Sequence, residues 1–144
     1  MACKFSTYNQ LRKVIFHPSY EEILFTASVD DMIRKYNISN CSKLVEKSVG
    51  WSVHSMALSD NGNMLYYGTL EGHVGYMDTN LSNNIITLNA HRMTVLFIFN
   101  TYPGYYVSIG DDSKMFLWNN GNKIATLTSL SAQRLIFCSL FGKA

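Results

Sequence analysis

Asp30, Glu71 and Asp112 are evenly spaced along the chain, and Tyr36, Met77 and Trp118 keep the same interval, so that each acid precedes its bulky partner by the same short distance. A fixed period is the strongest constraint a sequence places on its fold. Each period must build the same small unit and bury its faces against its neighbours. The repeating text is TASVDDMIRKYN (26–37), YGTLEGHVGYMD (67–78) and SIGDDSKMFLWN (108–119).

Each period divides into four short apolar runs separated by turn-forming residues. First strands are read at VIFHP, MALSDNG and FIFNTYPG, and second strands at EILFTAS, NMLYYGT and YYVSIG. Third strands fall at MIRKYNI, HVGYMD and KMFLWN, and fourth strands at KLVEK, NIITL and KIATL. Nine Tyr and eight Phe against two Pro favour strands over helices. Inside–outside alternation is blurred, as expected for sheets covered on both faces. Four strands in a period of roughly 40 residues describe one antiparallel propeller blade. The expected fold is all-β: a partial β-propeller of about three four-stranded blades over 10–47, 51–88 and 91–127. A strand of a fourth is expected over 132–141, where Ala132 and Ile136 fall one full period after His91 and Val95.

The pattern resembles the WD40 repeat family over residues 10 to 140, and the third repeat carries the resemblance best. NAHRMTVLFIFN matches the family's His-containing entry to a blade, and SIGDDSKMFLWN its Ser…Asp…Trp segment. The resemblance implies a buried hydrogen-bonded tetrad of His91, Ser108, Asp112 and Trp118. Donor and acceptor counts suit that set: indole donates, serine does both, an ionised carboxylate accepts, and a neutral imidazole does one of each. Repeat one keeps Thr26, Asp30 and Tyr36, and repeat two keeps Tyr67, Glu71 and Met77, but both lack the His. Partial networks built on Thr26, Asp30, Tyr36 and Glu71 are expected there.

Propellers close with about four to eight blades, so ring closure requires further blades beyond these. The chain is expected to be a segment of a longer propeller, or half of a two-copy ring, or to be completed by another chain, or else fewer blades close by distortion.

Catalytic chemistry finds little support. Asp111 and Asp112 form an acid pair on paper, but neighbours on a strand point to opposite faces. Asp112 is read as the inward structural acid and Asp111 as an outward loop residue. His17, His54, His73 and His91 sit in separate segments without HxxxH or HExxH spacing, so no metal site is expected. LEGHVG lacks the third glycine of a dinucleotide fingerprint, and no GxSxG is present. No cofactor is expected, and the chain is read as a non-enzyme. Cys3, Cys41 and Cys138 are odd in number and widely spaced, which reads as three reduced thiols in an intracellular protein. MACKFSTYNQ lacks a signal-peptide core, and VLFIF (95–99) is too short to cross a bilayer. A soluble chain without membrane contact is expected.

The WD40 resemblance implies protein partners docking on the edge that carries the second-to-third-strand turns. Val29, Leu70 and Asp111, each one position before an acid, are the candidate contacts. Trp51, Arg92 and Met93 join them because these residue types are enriched in interface cores. A second resemblance, to the damage-specific DNA-binding WD-repeat subfamily, rests on ILFTASVDDMIRKYNI, NMLYYGTLEGHVGYMDTN and the following Ala-His entry. It implies a nuclear, chromatin-associated protein, often a substrate receptor of a cullin-RING ubiquitin ligase. The subfamily's ligase-docking Trp-Asp-x-Arg is absent: the matching stretches read YNIS, MDTN and WNNG. The net charge of +2 is spread thinly and gives no linear footprint for nucleic acid.

Overall fold

The computed structural model describes residues 2–6 and 9–128. The described residues form strands and turns without a helix. Sheet one contains β1 (Leu11–Phe16), β2 (Ile23–Ser28), β3 (Met32–Asn37) and β4 (Ser42–Ser48). Sheet two contains β5 (Val53–Leu58), β6 (Met64–Thr69), β7 (His73–Asp78) and β8 (Ile86–Asn89). Sheet three contains β9 (Val95–Asn100), β10 (Tyr105–Gly110), β11 (Met115–Asn119) and β12 (Asn122–Leu127). In each sheet the strands lie side by side in chain order and run antiparallel. These are three blades of four strands. The fourth-blade strand expected over 132–141 lies outside the described residues.

The cause of the blurred alternation is visible in β6. Leu65 and Tyr67 pack into a core shared with sheet one, beside Phe25, Ile33 and Val53. Tyr66, between them, points the other way into a core shared with sheet three, beside Val95, Tyr106 and Trp118. A strand covered on both faces needs apolar side chains at successive positions. Hydrophobic burial, the main stabilising term, therefore lies between blades rather than within one.

The first strands converge, with β1 against β5 and β5 against β9. Each carries one extra residue. Leu11 and Lys13 face Ser28 and Ala27, leaving Arg12 unpaired. Val53 and Ser55 face Thr69 and Gly68, leaving His54. Val95 and Phe97 face Gly110 and Ile109, leaving Leu96. These bulges interrupt the period of two, so the sequence pattern starts the strands late, at Val14, Met56 and Phe97.

The blades are tied at both edges. At one, the Ser52 hydroxyl donates to Val29 O at 3.0 Å and the Thr94 hydroxyl donates to Leu70 O at 3.1 Å. At the other, His17 Nδ1 accepts from the Ser19 and Tyr20 amides, so its Nε2–H donates to Gly62 O at 3.2 Å. Asn100 reaches Asp60 at 2.8 Å on the same side.

The expectation of three reduced thiols is corrected at two positions. Cys3 and Cys41 form a disulfide, with Cα atoms 5.2 Å apart. The bond fastens the N-terminal segment to the β3–β4 turn, where Phe5 packs on Tyr36 at 4.4 Å between ring centroids. Spacing alone could not reveal the pair, because the two cysteines meet only once blade one has folded.

Candidate functional site

The β10–β11 turn of blade three is built around one carboxylate. Asp112 accepts from His91 Nδ1–H at 2.9 Å, from the Arg92 amide at 3.1 Å and from the Lys114 amide at 3.3 Å. With Nδ1 protonated, His91 Nε2 accepts from the Ser108 hydroxyl at 2.9 Å. Ser108 Oγ in turn accepts from Trp118 Nε1–H at 2.9 Å. The four side chains thus form one donor-to-acceptor line: indole, hydroxyl, imidazole, carboxylate.

Burial pushes the His91 imidazole below its ordinary range, against the pull of Asp112. Burial opposes the charge on Asp112 too, but the Arg92 amide and His91 together hold its carboxyl below the usual range. The contact is therefore a neutral imidazole on a carboxylate rather than an ion pair, despite its ion-pair distance. Gly110 makes room for it, because a Cβ there would lie 2.3 Å from His91 Nδ1. Phe116 closes the far side of the ring, centroids 4.4 Å apart.

Blade one solves the same problem with other residues, and the partial network expected of Thr26, Asp30 and Tyr36 is corrected. Asp30 pairs with Arg34 and Ser28 and accepts from the Met32 amide. Arg34 also reaches Glu46 at 3.1 Å. The guanidinium partners Asp30 as the imidazole partners Asp112, and holds the Asp30 carboxyl below its usual range. Ser28 stands where blade three has Gly110, and its side chain is accommodated because no ring needs the space. The Thr26 hydroxyl and Tyr36 OH are buried without a hydrogen-bond partner among the described residues. A sequence signal exists, since Ser28, Asp30 and Arg34 alternate along one hairpin, but in the sequence Arg34 looks like one more scattered charge.

Blade two drops the acid. Glu71 is exposed and does not enter an inward network, contrary to the expectation of a structural role. Tyr67 fills the interior by lying over its cross-strand partner Gly75, where a Cβ would sit 2.2 Å from the ring, and its OH meets Thr87 at 2.6 Å. The turn is held by Thr69, which accepts from the His73 amide at 3.0 Å. In all three blades the residue after the acid position adopts positive φ: Asp31 at 65°, Gly72 at 94° and Ser113 at 62°. Its carbonyl accepts from the next loop in blades one and two, from Val49 and from Ala90 and His91.

The candidate contact residues come together along this edge. Ser52 bonding Val29 brings Trp51 beside the β2–β3 turn, and Thr94 bonding Leu70 brings Arg92 and Met93 beside the β6–β7 turn. Val29 and Leu70 are half-buried, while Asp111 and Arg92 are exposed. Trp51 and Met93 expose 39% and 50% of their surface, a large apolar share for a loop edge. Trp51 is held by stacking on His73, centroids 3.9 Å apart and 26° between planes. That role of His73 is not legible in the sequence, since nothing local links it to a tryptophan on the far side of β5 and β6. Groups of three or more metal-ligating side chains are absent among the described residues. No helix among the described residues is long and apolar enough to cross a membrane.

No protein-family model matches the sequence. The chain is similar to the DNA damage-binding protein cmr1 of Aspergillus oryzae, 25% identical over 119 residues covering 76% of this chain and 23% of that protein. The same-named protein of Aspergillus clavatus is 26% identical over 113 residues, covering 72% of this chain and 21% of its own length. The chain therefore spans less than a quarter of the curated relatives it matches. Among solved structures, U3-55K superimposes with a TM-score of 0.80 at 18% identity, covering 87% of this chain and 41% of that one. The RRP9 WD40 repeats give 0.79 at 19% identity, covering 87% and 40%. In fold, the described residues are three blades of a WD40-type β-propeller.

Proposed function

We propose that the chain is a non-enzymatic platform for protein partners, docking on the edge lined by Trp51, Leu70, Arg92, Met93, Val29 and Asp111. The observation that carries this reading is the pair of exposed anchors, Trp51 and Met93, on loops held by hydrogen bonds to neighbouring blades. A rigid aromatic and a thioether flanked by Arg92 and Asp111 have the make-up of an interface core with a charged rim. Asp112 is committed to His91 and two amides, so the acid pair leaves only Asp111 for a partner. Further blades, from the same gene or from another chain, would complete the ring.

Quantitative affinity purification tests the reading. Trp51→Ala and Met93→Ala should each lose partners that the parent chain and an Ile124→Ala control retain. Identical partner sets for all four proteins would overturn it.

A second reading takes up the relatives' name, DNA damage-binding protein, together with what the subfamily resemblance implies: a nuclear, chromatin-associated protein serving as a ubiquitin-ligase substrate receptor. The missing Trp-Asp-x-Arg argues against ligase docking through these three blades. A gel shift with intact and damaged duplex separates the two readings. DNA binding would fall steeply with salt, whereas a protein-only platform would retain no duplex at any salt.

A further inference from the structure

The three first-strand bulges single out Arg12, His54 and Leu96, which are evenly spaced in the sequence and hold the same position in successive blades. A bulge commonly re-aims the side chain of the extra residue. Here Arg12, Lys13, His54 and Ser55 line one cavity of about 200 Å³ where the sheets converge, walled by Met56 and by the β9 strand. The cavity's titratable and charged groups all come from β1 and β5, because β9 contributes only Leu96, Phe97, Ile98 and Phe99. Among the described residues, no carboxylate lines it. His54 Nδ1 is buried without a hydrogen-bond partner among the described residues. An unpaired buried nitrogen beside two cations is costly unless something of opposite charge can join it.

We propose that Arg12, Lys13 and His54 form an anion site on this inner wall, one that takes a phosphate group. A guanidinium, an ammonium and an imidazole around a small recess match the several acceptor oxygens of a phosphate, and the arginine fork suits two of them at once. The phenyl wall of Phe97 and Phe99, stacked 5.9 Å apart, lowers the local dielectric and strengthens those contacts. Burial, followed by repulsion from Arg12 and Lys13, holds His54 neutral below its ordinary range. A bound anion would offset that repulsion and favour the imidazolium, so binding should take up a proton. The site is independent of the exposed loop edge, because it lies on the first strands and uses none of the partner-docking residues.

The test is isothermal titration of the full chain with inorganic phosphate, paired with fluorescence anisotropy using a short single-stranded oligonucleotide. Saturable binding is expected in at least one arm. It should weaken about tenfold in Arg12→Ala, the loss of one charge-assisted hydrogen bond. In the oligonucleotide arm, where the phosphodiester does not titrate, binding should also strengthen from about pH 8 to about pH 6 in the parent but not in His54→Gln. In the phosphate arm, parent and His54→Gln are compared at the same pH, and the parent's advantage should grow towards about pH 6. Arg12 is exposed, so its replacement leaves the blade intact, and a circular dichroism spectrum matching the parent verifies this. Phosphate binding alone assigns the site to a free or monoester phosphate, and oligonucleotide binding assigns it to a phosphodiester. Absence of saturable binding in both arms, or binding indifferent to both variants, overturns the proposal.

Discussion

Asp112 accepts from three groups at once, so deleting its carboxylate strands His91 and two amides. Asp112→Ala should cost about 2 kcal/mol, the usual penalty of unpaired buried donors. Asp111→Ala should stay within about 0.5 kcal/mol, as exposed substitutions do. Urea midpoints of the two variants check this, and equal losses would refute the division of labour. Space constrains single residues as well. Gly110→Ala should destabilise by driving a methyl into the His91 ring, and His91→Ala should relieve that particular cost. A double-mutant cycle would read the coupling. Protonation gives a third test. His91 is held below its unfolded pKa, so the unfolded chain binds the extra proton first as pH falls below about 6.5. Asp112, also depressed, adds a loss as pH falls below about 4. Stability should therefore decline in two stages on acidification, and His91→Gln should shrink the upper one, leaving the share that His54 contributes. The tetrad was legible through the WD40 resemblance of NAHRMTVLFIFN and SIGDDSKMFLWN, not through spacing alone. Arg34 was not, since one arginine among twelve basic residues carries no signal until β3 places it against Asp30.

Among the strands and turns, three blades hold one backbone turn with three chemistries: imidazole on carboxylate, guanidinium on carboxylate, and a threonine hydroxyl on the His73 amide. What is common to them is the positive-φ residue, not the acid. In blade one, Arg34→Met should cost about 3 kcal/mol, because it leaves Asp30 charged and partly buried. Replacing Asp30 and Arg34 together should cost less than Arg34→Met alone, which thermal melts of the single and double variants would measure. Most strand positions were readable from runs of aromatic and branched residues. The starts of β1, β5 and β9 were missed because Arg12, His54 and Leu96 shift the register by one, and a pattern search with period two loses the strand there.

At the scale of the whole molecule, the two apolar cores among the described residues lie at the seams between blades, while Val14, Phe16 and Leu127 remain exposed. The blade count could be read from the period, whereas the cross-blade contacts could not, since they join residues with no common motif. The Cys3–Cys41 bond stands apart from the seams. Reduction should release residues 2–6 to hydrogen exchange while leaving the amides of β5 to β12 protected, and loss of protection throughout would show that the bond holds the whole assembly. The seam ties have a direction: Ser52 of the second blade reaches back to Val29 of the first, and Thr94 of the third reaches back to Leu70 of the second. Both seams thus use the same fitting, a hydroxyl behind and a carbonyl ahead. A gene that loses or duplicates one whole period still brings matching halves together, Thr94 meeting Val29 as readily as Leu70. At this edge, then, a change in the number of units by a single genetic event leaves the tie itself intact, whereas the opposite edge, His17 to Gly62 in one seam and Asn100 to Asp60 in the other, has no such interchangeable fitting.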